Sequence, residues 1–205
     1  MCWNPEVSMS TFLFSTTAVM LAYHQNLITL PFLLFLMSFI SIQLVEFFLH
    51  ISRGSGLLNT VFSAAGFATI AAQPFFAIQS IKDADFAYKR ELTAAYLAGI
   101  ILLLAVLQPE FRTVAGRHGH LVWKWLRIPT SVLLIWFAAL SVRFIVNKEW
   151  LLLIFIAATA AYSYNSYIND GTWGSMWCWF ANIVAFVYLG QVGYKMLTGR
   201  QPLQF

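Results

Sequence analysis

Residues 27–50 read LITLPFLLFLMSFISIQLVEFFLH, and Glu46 is the one Asp, Glu, Lys or Arg among them. An α-helix crosses the hydrocarbon core of a bilayer with about 20 apolar residues. A helix facing water keeps a polar side along its length, and this stretch has none. It reads as a transmembrane helix, and its neighbours read the same way.

Toward the N-terminus, Asn4-Pro5-Glu6 is a helix start: asparagine caps free N–H groups, proline suits the first turn, and glutamate favours the positive dipole end. A first helix is predicted over residues 5–23. Arg53-Gly54-Ser55-Gly56 ends the second helix, and further helices are predicted over 57–81, 92–107, 128–146, 150–167 and 175–197. The fold class is therefore all-α, a polytopic transmembrane bundle of about seven helices in a single domain.

Composition agrees. The chain of 205 residues is 60% hydrophobic and 10% charged, where soluble domains carry about 25% charged residues. That much apolar surface needs a lipid bilayer as its outer partner. The net charge of +4 comes without a basic run interleaved with aromatics, so no nucleic acid is expected as a partner.

Residues 110–127 form the longest connection, alternating apolar and basic side chains around Gly116 and Gly119. They read as an interfacial hairpin or short amphipathic helix. Loop cations set orientation. Lys82, Lys89, Arg90, Arg143, Lys148, Lys195 and Arg200 fall on one side; Arg53, Arg112, Arg117, Lys124 and Arg127 fall on the other. The excess favours an outside N-terminus and a cytoplasmic C-terminus.

Polar side chains in apolar helices usually turn inward. Gln43, Glu46 and His50 share one face of the second helix. A carboxylate between an amide and an imidazole suits a proton or cation site, while the plainer reading makes Glu46 a helix-end anchor. On the third helix Asn59, Ser63, Gly66 and Gln73 share a face, and Pro74 frees the carbonyl of Ile70. Ser8, Thr11 and Ser15 line the first helix; Tyr162, Asn165, Ser166 and Asn169 line the sixth; Cys178 and Asn182 share a face of the seventh. Ser175 reads as the cap of that last helix, which puts Cys178 in its first turn.

Cys2 and Cys178 are the two cysteines. They fit a disulfide, two separate buried thiols, or, with Glu46 or His50, a soft-metal or redox site. Trp3, Trp173, Trp177 and Trp179 crowd the same end, as an aromatic belt or a ligand cage would. His118 and His120 are two apart in a loop, the wrong spacing for a helical zinc pair. Lys195 lies near the end of the seventh helix, not at the middle, where a retinal-binding lysine would be expected.

The opening Met1-Cys2-Trp3-Asn4-Pro5-Glu6-Val7-Ser8 resembles the Met-Cys-Trp/Phe-Ser start of an uncharacterised family of small multi-helix membrane proteins from bacteria, algae and large DNA viruses. Here Asn4 replaces the usual serine. Gln43-Leu44-Val45-Glu46, Gln73-Pro74-Phe75-Phe76 and Trp177-Cys178-Trp179-Phe180-Ala181-Asn182 resemble further recurrent segments. The resemblance implies the topology and groups Cys2, Glu46, Gln73 and Cys178 in one site. It implies no activity.

Three functions remain open. The first is a channel or transporter for a small solute or ion, built on Gln43, Glu46 and His50, with Gln73 along the path and Asn182 beside it. The second is an intramembrane enzyme, redox or metal-binding protein using Cys2, Glu46 and Cys178. The third is a sensor or assembly subunit that works through an oligomer or a partner subunit. The sequence names no cofactor.

Overall fold

A computed structural model describes residues 4–82, 87–116 and 119–202. Among them the protein folds into seven helices: α1 (Pro5–His24), α2 (Leu30–Ile51), α3 (Gly56–Gln79), α4 (Lys89–Leu107), α5 (Thr130–Val146), α6 (Trp150–Tyr167) and α7 (Trp173–Thr198). A short hairpin, β1 (Thr113–Ala115) and β2 (Leu121–Trp123), sits between α4 and α5. The protein is helical and built for a membrane: α2, α3, α4 and α7 are long and apolar enough to cross one, and α5 is a shorter apolar helix.

Local chemistry sets the helix ends. Asn4 Oδ1 accepts from the Val7 N–H at 2.7 Å, and Ser55 Oγ accepts from the Leu58 N–H at 3.3 Å. The second helix begins at Leu30, not Leu27, because Thr29 takes the extended N-cap conformation and Pro31 occupies the first turn. Leu27 and Ile28 are apolar but belong to the preceding turn. The fourth helix starts a turn earlier than its apolar run, at Lys89. The seventh starts at Trp173, so Ser175 lies inside the helix and does not cap it. Cys178 consequently sits in the second turn, not the first.

Helices α1, α2, α3 and α7 form the centre, with α2 packed most extensively on α3 and α1. Helices α4, α5 and α6 are peripheral; α4 packs chiefly on α3 and has no buried residue. One core cluster joins Phe32, Phe35, Phe39, Phe144 and Trp177. Another joins Ile42 and Leu49 of α2 with Leu121, Trp123 and Trp125 of the hairpin region and Cys178.

The hairpin is docked into the bundle. Asn59 holds the backbone of Thr113 from both sides: its Nδ2 donates to the carbonyl at 3.0 Å and its Oδ1 accepts from the N–H at 2.9 Å. The hydroxyls of Ser63 and Thr113 share a 2.8 Å hydrogen bond. The rings of Trp123 and Trp125 stack 4.9 Å apart, and Gly66 leaves room for Trp125, whose Cζ2 would stand 3.0 Å from an added Cβ.

Candidate functional site

The predicted face of α2 is buried: Gln43 and Glu46 are wholly inaccessible, and His50 nearly so. Ile42 and Leu49 flank Glu46 on the same side of the helix, so the carboxylate lies in an apolar wall facing the hairpin and α7. It lies about 8 Å of helical rise before the end of α2.

Other helices bring polar side chains to this wall. Thr11 Oγ1 of α1 donates to Gln43 Oε1 at 3.1 Å. Ser15 Oγ makes a close hydrogen bond to Asn182 Oδ1 of α7, and Asn182 Nδ2 donates to the Trp179 carbonyl at 2.8 Å. Gln73 of α3 is wholly buried, and its Nε2 donates to the Ser38 carbonyl at 3.4 Å. The thiol of Cys178 lies within side-chain hydrogen-bonding reach of Gln73 and in the field of Glu46. At the C-terminal end of the stripe, Arg53 donates to Nδ1 of His50 and, through Nη2, to the Gly119 carbonyl at 3.3 Å.

The structure thus brings Glu46, Gln73 and Cys178 together, with Gln43 and Asn182 on hydrogen bonds to α1 and His50 toward the hairpin. Cys178 is a buried free thiol; Cys2 lies outside the described residues. No three His, Cys, Asp or Glu side chains among the described residues gather as a metal site. Trp173 and Trp177 are buried rather than set as a belt. The α6 stripe does not join the site: Tyr162, Asn165, Ser166 and Asn169 are all exposed, and Ser163 is the buried residue of that helix. Tyr162, Asn165 and Ser166 occupy the last turns of α6, and Asn169 lies in the turn that follows it.

Several buried polar atoms near the site have no hydrogen-bond partner among the described residues. They are the indole nitrogens of Trp123 and Trp125, the hydroxyls of Thr172 and Ser175, and Oε1 of Gln73.

Toward the N-terminal half of α2, aromatic rings of α2, α5 and α7 pack together. Phe39 meets Trp177 at 5.6 Å between ring centroids and Phe35 at 5.3 Å, and Phe35 meets Phe144 at 5.8 Å. Beyond them lies a polar cluster that helix-face reasoning missed. Arg143 is 1% exposed and grips Glu149 with two hydrogen bonds, Nη1 to Oε2 at 2.6 Å and Nη2 to Oε1 at 3.2 Å. Its guanidinium lies 3.8 Å from the Phe32 ring centre, and Lys82 reaches Glu149 Oε1 at 3.1 Å. Arg143 in the sequence reads as a helix-end cation. The signal that could have found it is Glu149, one tight turn later, where Lys148 takes φ +59°.

A second feature faces the side of the bundle. An apolar crevice of about 420 Å³ opens between α3, α4 and α5, with Trp125 and Trp177 at its inner wall.

No protein-family model matches this chain, and no curated protein or solved structure matches it.

Proposed function

We propose that all seven helices span the bilayer, with the N-terminus outside and the C-terminus cytoplasmic, and that the protein passes protons or small cations through a site at Glu46. The observation that carries this reading is a wholly buried carboxylate with Cys178 of α7 close by and Gln43, one turn before it, bonded to Thr11 of α1. Ionisable groups at membrane depth are costly and mark ion or proton pathways.

Two further features support it. Leu13 and Met20 on α1, and Leu151 and Ile154 on α6, are exposed and apolar, so these helices need lipid as much as α2, α3, α4 and α7. The partnerless polar atoms around the site suit internal water, which satisfies such groups in folded proteins. In this reading the girdle of Phe35, Phe39, Phe144 and Trp177 is the closed gate between an outer arm at His50 and an inner arm at Arg143.

Proton and cation flux into liposomes carrying wild-type protein or Glu46→Gln tests the proposal. The amide keeps the size of the side chain and removes its charge, so flux falls in the variant. Wild-type flux in Glu46→Gln would remove Glu46 from the mechanism.

A second reading is thiol chemistry, with Cys178 beside Gln73 and Glu46 and Cys2 as its partner. It predicts bound metal or a reactive thiol in native membranes. Two inert thiols and no metal in the purified protein would exclude it.

A further inference from the structure

We infer that the pocket at the Arg143 end of the bundle binds an anionic phosphate group between Lys82 and Arg143. This does not depend on conduction through Glu46; it needs only that the helices cross a membrane.

The pocket has a volume of about 340 Å³. Its walls come from the ends of helices: Asn26 in the α1–α2 turn, Lys82 just after α3, Glu149 between α5 and α6, and Gln201 beyond α7. A pocket bounded by helix ends lies at headgroup depth in any bilayer the helices cross.

Its charges favour an anion. Among the described residues that line it, Lys82 and Arg143 supply two positive charges and Glu149 one negative, a balance of one positive charge. Arginine carries five N–H donors. Glu149 engages one on each terminal nitrogen, and Nε has no acceptor among the described residues. The carboxylate and the Phe32 ring fix the guanidinium plane, and with both terminal nitrogens on Glu149 it is the fixed Nε–H that is left to donate to a phosphate oxygen. Lys82 is the movable partner, since its side chain is 57% exposed while still touching Glu149. Tyr188 lies in the field of both Arg143 and Glu149 and offers a hydroxyl from the same wall.

The phosphate can belong to an anionic lipid or to a soluble molecule. Basic pockets between helix ends on the cytoplasmic side suit lipid phosphates.

The test follows the melting temperature of the purified protein in detergent while phosphatidylglycerol, phosphatidylcholine or inorganic phosphate is added. Phosphatidylglycerol is expected to stabilise the protein more than phosphatidylcholine, whose phosphate charge its choline cancels. Lys82→Ala is expected to shift the phosphatidylglycerol midpoint to about fivefold higher concentration. Arg90→Ala, an exposed cation on α4, is expected to titrate like wild type. Stabilisation by inorganic phosphate that is lost in Lys82→Ala supports the same pocket with a soluble ligand. Equal effects of the two lipids and none of phosphate, or a Lys82→Ala protein that titrates like wild type, would overturn the inference.

Discussion

The indole N–H of Trp136, on α5, donates to the carbonyl of Ile70, on α3, at 3.2 Å. That carbonyl is the one Pro74 cannot serve, because proline has no N–H to return to the residue four before it. One residue along, the Tyr96 hydroxyl of α4 donates to the Ala71 carbonyl at 2.6 Å. The turn of α3 before Pro74 therefore takes one side-chain hydrogen bond from α5 and one from α4.

Trp136→Phe should cost about 1 kcal/mol of stability, the usual net worth of one such bond. In a Pro74→Ala background the new backbone N–H serves Ile70, and the same substitution should cost less. Thermal or denaturant unfolding of the four proteins in detergent measures the coupling. Additive effects would show that Trp136 does not substitute for the missing backbone donor.

Asn59 should prove the anchor of the hairpin. Asn59→Ala removes both bonds to Thr113 and leaves a buried backbone N–H and carbonyl without partners, a loss of about 2–4 kcal/mol. Undocking should also expose the segment to trypsin at Arg112 and Lys124. Cleavage there at the wild-type rate would mean that other contacts hold the hairpin.

Gly174 lies where α7 meets the hairpin. A Cβ there would stand 2.4 Å from Leu126 Cδ2 and 3.0 Å from Trp123 Cζ3. Gly174→Ala should destabilise the protein by about 1–3 kcal/mol through overpacking. Gly99→Ala on α4, with nothing within 4 Å, should be neutral or slightly stabilising, since alanine is the better helix former. A comparison of melting temperatures decides, and equal values for the two variants would contradict the close approach.

Hydropathy made the helices readable because lipid demands long apolar runs, and Asn4 and Ser55 mark two starts chemically. It misjudged the start of α2 because Leu27 and Ile28 report depth of burial, not backbone conformation. Glycines at 116 and 119 announced a turn, but nothing local announced that Trp123 and Trp125 would pack inward; their sockets are Gly66 of α3 and the face of α2, distant in sequence. Helical spacing grouped Gln43, Glu46 and His50 because those residues share one helix. It could not pair Arg143 with Glu149, which lie six residues apart across a turn, outside the three- and four-residue spacings along a helix.

That pair carries the last prediction. Both side chains are buried, and removing one partner of a buried ion pair costs about 3–5 kcal/mol because the other is left uncompensated. The two losses should not be equal. In Arg143→Met the remaining Glu149 keeps Lys82 at 3.1 Å and sits near the edge of the pocket. In Glu149→Gln the remaining guanidinium is 1% exposed, with an aromatic face at Phe32 and no other carboxylate paired with it among the described residues. A cation over a ring recovers only about 0.5–2 kcal/mol, less than a buried charge loses. Glu149→Gln should therefore be the more damaging change, and adding Arg143→Met to it should restore part of the lost stability by removing the stranded charge. Unfolding of the two single variants and the double variant in the same detergent reads the order. If Arg143→Met proved the costlier change, or the double variant were the least stable, Lys82 would not be sharing the carboxylate as the geometry requires.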